Sequence, residues 1–444
     1  MKQHEFLQKG TSTSLGFGIG LTILNNKSVA DTSANNKVNL ALVGCGNRCK
    51  EILDGFKNRE DVNIVSCCDP RKERREQLAL RTGGEPVEDM RTVLDDKRVD
   101  AVFAPLPDHW HALATFWACQ AGKDIYVEKP MTHDPFEGVQ CVKAARKYKR
   151  IVQHGTQNLS APYNIEAKKY LKDGKLGDVH LVRVFNMQSG GGLKISKGDK
   201  IPDGFNYDYW LGPVQEIPYS SSIVNYGWHN LWDFSAGGMA DDGIHQLDLA
   251  RWLIDKDYPS SVYSVGGRFV NRDDAQPPNT MVTTYEYDNL KLEFLLFKCP
   301  QYMVKTPMED RDKDVFPYLL QNGMRIEIFG TKGLMVVCRH GGGWQVFTRP
   351  KDRQPNVTAS CHGRVPTKLH QENFINCVRT RELPNADVEL GHKSSMLVHY
   401  AMIAHRLGGV KLNINSVDGT IKNQEAQKFW KREYRKPYEI TEEI

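Results

Sequence analysis

Between residues 38 and 153, short apolar runs alternate with longer helical patterns, and this alternation restricts the fold more than any other feature of the chain. The runs are Val38–Val43, Val62–Cys68, Ala101–Ala104, Asp124–Val127 and Ile151–Gln153. Between them lie helical patterns over Arg71–Arg81, Asp89–Leu94, Trp110–Ala121 and Pro135–Tyr148. Apolar strands separated by such helices specify a parallel sheet covered on both faces, an α/β domain. In that architecture ligands bind outside the carboxyl edge of the sheet, so the residues that follow each strand carry the functional argument.

The first strand runs into Gly44-Cys45-Gly46-Asn47-Arg48-Cys49. Glycines here let backbone approach a diphosphate, and the following helix presents free N–H groups to it. The third position is Cys49 instead of Gly or Ala, so the turn alone is a weak sign. Asp69 strengthens it: this acid ends the second strand about 25 residues on, where a carboxylate holds ribose hydroxyls and favours NAD. Its bland alternative is a turn residue before Pro70. Arg48 and Arg71 keep NADP open, since either can meet a 2′-phosphate.

The third strand runs into Pro105-Leu106-Pro107-Asp108-His109-Trp110-His111 at the same edge. Two histidines this close, with no acidic or cysteine cluster, do not make a metal pair. Asp108 is read as a helix cap and His109 as packing against a cofactor. The strand Asp124–Val127 ends in Glu128-Lys129-Pro130, two charges that need either water or partners.

Beyond residue 157 strand-like runs follow closely: Val179–Met187, Ser261–Asn271, Thr280–Asp288, Leu290–Lys298, Met324–Gly330 and Gly333–Cys338. They predict an α+β part, residues 158–444, with an open, mainly antiparallel sheet; helical patterns return over Thr367–Cys377 and Val388–Leu407. The stretches 190–192 and 298–318 have no clear period and read as loops near an opening. In Gly237-Gly238-Met239-Ala240-Asp241-Asp242-Gly243-Ile244-His245, a helix would set Asp241 and His245 at i and i+4 on one face. An Asp there can orient the ring and raise its basicity, as a base acting on an alcohol requires. A helix cap with a satisfied histidine, or two of the ligands of a zinc ion whose third is missing, are the alternatives. Trp228 and His229, within the aromatic and polar run 225–233, suit sugar rings or simply fold over the core.

Composition excludes several classes. A chain of 444 residues is long enough for two cores, and its net charge of +5 is spread among interspersed signs, so nothing points to nucleic acid. Ten cysteines occur with no Cys-x-x-Cys pair, which reads as buried thiols, with no metal site. Residues 1–30 resemble a signal peptide ending at Ala30, ahead of a linker over 31–37. The run Ser14–Leu24 is too short to span a membrane, and an exported, periplasmic protein is the expectation, or a cytoplasmic one if the signal is not functional. Glu5 to Lys9 resembles the latter half of a twin-arginine signal, but Gln3 and His4 stand where the arginines belong.

Taken together, Gly44-x-Gly46 with Asp69, Pro107-Asp108-His109-x-His111, Glu128-Lys129-Pro130, Gly237-Gly238-x-x-Asp241-x-Gly243-x-His245 and Ile328-Phe329-Gly330-Thr331-x-Gly333 resemble the Gfo/Idh/MocA family of pyridine-nucleotide oxidoreductases over about residues 38–438. The resemblance implies a Rossmann domain over 38–157, NAD (NADP not excluded) as cofactor, and a homo-oligomer, dimer or tetramer, built on the C-terminal sheet. It implies a catalytic group of Lys129, Asp241 and His245, with Asp241 orienting His245 and Lys129 titrating below its value in water. Gly44, Gly46, Asn47, Arg48, Asp69, Pro105, Pro107, His109, Glu128 and Gln157 are the candidate cofactor contacts, and Glu128 can instead partner a nearby cation. Trp228, His229 and the tail 434–438 resemble exported, sugar-active members. The implied reaction is hydride transfer at a secondary alcohol of a sugar or glycoside, with a tightly held cofactor. A glycoside hydrolase working by transient oxidation and a non-catalytic sugar or nucleotide binder are the alternatives.

Overall fold

The computed structural model describes residues 37–188, 190, 192–298, 302–316 and 321–444; the signal-like segment and most of the linker lie outside them. Lys37–Ile444 form one compact unit holding two sheets. The first contains β1 (Val38–Val43), β2 (Val62–Cys68), β3 (Glu85–Val87), β4 (Ala101–Ala104), β5 (Asp124–Val127) and β6 (Val152–His154), in the order β3-β2-β1-β4-β5-β6 and parallel throughout. The order reverses direction beside β1, so the loops after β1 and β4 open the crevice that a doubly wound sheet offers to ligands. The short β3 is absent from the sequence reading because Glu85 and Pro86 give it no apolar pattern.

The second sheet contains β7 (Val179–Met187), β8 (Ser261–Gly267), β9 (Thr280–Tyr287), β10 (Leu290–Phe297), β11 (Arg325–Gly330), β12 (Gly333–Cys338), β13 (Trp344–Lys351), β14 (Gln354–Cys361) and β15 (Leu412–Asn413). Its order is β14-β13-β12-β11-β7-β10-β9-β8-β15. Only β7 and β10 pair in parallel; the remaining neighbours are antiparallel. Strands β13 and β14 end one edge, and their polar, partly exposed residues explain why no apolar run announces them. One face is buried with strict alternation, as in Leu290, Leu292, Phe294 and Leu296 of β10.

Helices 367–380 and 388–406 tie the sheets together. Phe374 and Ile375 of the first pack into the parallel-sheet core with Leu40, Phe103 and Tyr126, and Gln371 donates to the Ile52 carbonyl at 2.7 Å. The second begins with Val388 in the parallel-sheet core and continues with Leu397, Ala401 and Ala404 in the core beneath the large sheet. Phe374 is fully buried and lies 5.9 Å edge-on from the Tyr126 ring. Phe374→Ala should cost about 3–5 kcal/mol through lost burial and the cavity left behind, read as a lower urea midpoint with an unchanged slope.

Candidate functional site

The carboxyl ends of β1, β2, β4, β5 and β6 meet at one edge. Main-chain bonds prolong the ladder past the strands there: Gly44 N to Cys68 O (2.8 Å), Glu128 N to Ala104 O (3.3 Å) and Gly155 N to Val127 O (2.8 Å). Gly44 has φ +96, and a Cβ on it would lie 3.0 Å from the Pro105 carbonyl oxygen, so this turn admits only glycine. At Gly46 an added Cβ would meet nothing nearer than the Arg74 guanidinium at 3.6 Å. Asn47 begins the short helix Asn47–Ile52 and is exposed. The buried Asp69 carboxylate receives the main-chain N–H of Cys45 (2.9 Å) and of Arg71 (2.8 Å), which couples the acid to the glycine turn. Burial raises its pKa, against the opposing N–H of Arg71. A tight glycine turn with open space above its second glycine, and an acid fixed beside it, fit a dinucleotide.

Several proposed cofactor contacts have other partners. Arg48 and Glu128 form an ion pair with each other, Nε to Oε1 3.0 Å, and Arg48 also reaches Glu51 at 3.3 Å. A side chain at Gly155 would collide with the Glu128 carboxylate, which is buried and depressed in pKa because Arg48 and Lys129 outweigh its burial. The charge on Glu128 thus answers a neighbouring cation. His109 is fully buried, its Nε2 3.1 Å from the Trp210 carbonyl and its ring edge-on to Phe234; it is a packing residue closed off from the sheet edge. Pro107 precedes the helix Asp108–Gln120 and Pro105 backs Gly44. Asp108 does not cap that helix; it accepts from Ser235 Oγ at 2.5 Å. His111 contacts the Pro130 carbonyl through Nδ1 (2.6 Å) and the Leu106 carbonyl through Nε2 (2.8 Å), and so fastens the turn that carries Lys129. Gln157 lies buried just past β6, its amide nitrogen without a partner among the described residues.

Lys129 crosses to the second sheet's helix. Its ammonium donates to the Asp241 carboxylate (3.1 Å) and to the Asp241 main-chain carbonyl (2.5 Å). Met239–Gly243 is a π-helical turn that leads into the helix Ile244–Leu253. The widened turn undoes the i, i+4 stacking expected of a uniform helix, and no hydrogen bond joins Asp241 to His245. Asp241 orients Lys129 instead, and its other neighbours are the His229 Nε2 (3.9 Å), the Lys298 ammonium (3.7 Å) and the Tyr226 hydroxyl (3.5 Å). Although burial raises it, the Asp241 pKa falls far below the carboxylate range through Lys129. Conversely Lys129 is raised, since Asp241 and then Asp108 overcome its burial, so the expected depression of the lysine is not found. Burial and the cations Arg339 and Lys129 hold His245 well below the usual histidine range, hence neutral at pH 7, and its Nδ1 has no partner among the described residues. The helix carrying it is pinned by Asp248, which accepts from Ser394 (2.6 Å), itself bonded by Arg251 (3.1 Å).

The residues read as a sugar platform do reach this group. His229 is stacked on Trp228, ring centroids 3.4 Å apart, and its Nδ1 faces the Tyr226 carbonyl at 3.0 Å. The same stretch of chain also grips the far end of the edge. Lys72 N donates to Gly204 O (2.8 Å), Asn206 N to Pro70 O (3.0 Å), and the Arg71 guanidinium lies over Phe205 (4.6 Å) and donates to Asn225 (3.3 Å). Further on, Met90 N donates to Tyr209 Oη (2.8 Å) and Trp110 Nε1 to Trp210 O (2.9 Å). Residues 204–229 therefore strap the loops after β2, β3 and β4 to the Lys129–Asp241 pair. Sequence reasoning missed this strap and also missed Asp242, Lys298, Lys305 and Arg339, because such contacts join loops that have no periodic signal. Among the described residues no group of His, Cys, Asp or Glu could hold a metal. No helix there is long and apolar enough to cross a membrane.

Comparison with known proteins agrees with this architecture. A model described as an oxidoreductase family with an NAD-binding Rossmann fold matches residues 38–156, and one for the C-terminal alpha/beta domain of the same family matches 179–291. The scyllo-inositol 2-dehydrogenase (NAD(+)) of Bacillus subtilis is 27% identical over 47% of this chain and 51% of its own. The D-glucoside 3-dehydrogenase of Escherichia coli is 23% identical over 50% of this chain and 55% of its own. The matched stretches thus span about half of these curated relatives. Among solved structures, levoglucosan dehydrogenase in complex with NADH superposes with a TM-score of 0.65 at 16% identity, covering 86% of this chain and all of that one. An aldose-aldose oxidoreductase from Caulobacter crescentus gives 0.63 at 18% identity, covering 85% and all of it. At these identities the likeness is one of fold.

Asp108 gives this site a pH signature. Burial pushes its pKa up to about 8, against the pull of Lys129. The folded state therefore keeps a proton that the unfolded chain releases near its ordinary value, so stability falls as pH rises from about 4 to about 8 and is level beyond. Asp108→Asn keeps an acceptor for Ser235 and should remove this residue's part of that slope, leaving the parts of Asp134 and Asp248, which burial also raises. Its melting temperature should gain on the wild type between pH 5 and 8, measured by calorimetry.

Proposed function

We propose that this chain, which belongs to the Gfo/Idh/MocA oxidoreductase family, oxidises or reduces a secondary alcohol carbon of a sugar or glycoside. The observation that carries this reading is the Lys129–Asp241 pair at the carboxyl end of β5, with its charge acting on the neutral His245, on the same sheet edge as the glycine turn and Asp69. Relatives with names such as D-glucoside 3-dehydrogenase and levoglucosan dehydrogenase support the substrate class. Gly44, Gly46 and Asp69 would hold the dinucleotide, which supplies the hydride acceptor when bound. Arg71 is occupied by Phe205 and Asn225, and Arg48 by Glu128, which supports NAD over NADP.

In the oxidative direction the alcohol O–H gives its proton to neutral His245 as the carbon gives up its hydride and the carbonyl forms. Lys129, protonated and held by Asp241, donates to the same oxygen and stabilises the charge that develops on it. The raised lysine and the depressed histidine divide the roles: one stays a cation and the other a base. Trp228 and His229 offer a ring face and a polar edge to the sugar.

Lys129→Met should lower kcat by about 10²–10³-fold, the scale of losing a donor to a developing oxyanion, and His245→Ala should fall comparably with a general base gone. A variant at Lys129 with normal turnover would overturn the assignment. Because His245 is depressed, it becomes protonated only at acid pH. The acid limb of kcat/KM should therefore break well below 6.5, and a break at 6.5 would count against His245 as base. The assay should follow keto-sugar formation and release of aglycone separately, since hydrolysis without keto product is the outcome that contradicts net oxidation.

The strap over residues 204–229 supports a further part of the proposal, that the cofactor is retained through successive turnovers. Spectra and mass analysis of denatured purified protein should then show NAD at close to one per chain, and Arg71→Ala should lower that occupancy. Export to the periplasm and assembly through the outer face of the large sheet, which exposes Tyr263, Val265 and Val282, belong to the same proposal.

A further inference from the structure

The wall of the second sheet carries more positive charge than its own acids neutralise. Asp242, beside Asp241, is held by Lys305 Nζ (2.9 Å), by Arg339 Nη1 (2.7 Å) and by the Gln188 amide. Lys298 runs its stem over Gly238, where a Cβ would lie 2.8 Å from the lysine Cδ, and ends 3.7 Å from Asp241. Four cations, Lys129, Lys298, Lys305 and Arg339, thus share the two carboxylates Asp241 and Asp242. Neither remaining acid offsets the excess: Glu128 belongs to Arg48, and Asp108 is bonded to Ser235 and keeps its proton.

The placement of this excess is specific. The Arg339 side chain is one-tenth exposed, and among the described residues only its Nη1 has a side-chain partner. The Lys298 and Lys305 side chains keep 21% and 36% of their surface exposed. Cations gathered in a partly desolvated wall, with guanidinium donors unspent, suit an incoming anion, and a guanidinium fork matches a carboxylate in particular.

Resting on the oxidoreductase reading above, we propose that Lys298, Lys305 and Arg339 form a subsite for an anionic substituent of the sugar, a carboxylate or a sulfate. The reacting hydroxyl lies at Lys129 and His245, and the anion is held a short distance along the same wall. The substrate class is then an acidic glycoside such as a glycosiduronate.

Binding tests this without relying on turnover. Calorimetry on the cofactor-loaded protein should show methyl glucuronide, or methyl glucoside 6-sulfate, bound at least tenfold more tightly than methyl glucoside. The preference should shrink as salt is raised. Comparing the two anions separates a planar carboxylate site from a general anion site. Arg339→Gln and, independently, Lys305→Met should bring the acidic-to-neutral binding ratio towards one, and in the keto-sugar assay Lys305→Met should raise KM for the acidic sugar with kcat retained. Equal or tighter binding of the neutral glycoside by wild type, an unchanged ratio in both variants, or no binding of any of the three sugars would overturn the subsite. Tight acidic binding without keto product would uphold it and overturn the oxidoreductase reading instead.

Discussion

The contact on which the rest of this structure turns is the ion pair between Lys129 and Asp241. One partner ends a strand of the parallel sheet and the other sits in the helical turn that leads off the large sheet, so the pair spans the two halves of the compact unit. Burying two charges costs several kcal/mol per ion unless geometry and further hydrogen bonds offset it. Here the ammonium has a second acceptor in the Asp241 carbonyl, and the carboxylate has Lys298 and Tyr226 nearby. Removing either member would leave a buried charge unanswered, which fixes where the two halves meet.

Supporting contacts fan out from that pair. His111 bridges the loop after β4 to the Pro130 carbonyl, and Arg48 neutralises Glu128, so the turn at Lys129 is held from both sides. On the other partner's side, Asp248, Ser394 and Arg251 lock the helix of His245 against helix 388–406. The strap 204–229 then connects the loop after β2 to the Lys129–Asp241 pair, through the main chain of Gly204 and Asn206 at one end and through the side chains of Tyr226 and His229 at the other. Positions that orient chemistry are thus fixed by rigid elements, and the strap grips the edge through both backbone and side chains.

Protonation follows from the same arrangement. Lys129 is raised although it is buried, because the carboxylates Asp241 and Asp108 gather around it, whereas His245 is depressed by burial first and by the cations Arg339 and Lys129 after it. Burial alone would have lowered both. The expectation of a depressed lysine considered desolvation without the carboxylates that only the fold brings near.

Sequence by itself determined the α/β alternation, the glycine turn and the carboxyl-edge position of Asp69 and Lys129, because periodicity and turn chemistry are local properties. It also revealed β7 to β12 of the large sheet, but not β13, β14 and the two-residue β15, nor β3 of the parallel sheet, which are polar, partly exposed or too short to show an apolar run. Tertiary structure alone decided which side chains meet. It gave Arg48 to Glu128, enclosed His109 among aromatic rings, and turned Asp241 towards Lys129 through a π-helical turn that no spacing rule announces. It also brought Lys298, Lys305 and Arg339 from separate loops and strands to one wall. Long-range pairing of charges depends on distances across the fold, and these are set by the packing of whole sheets and helices, which a linear pattern does not encode.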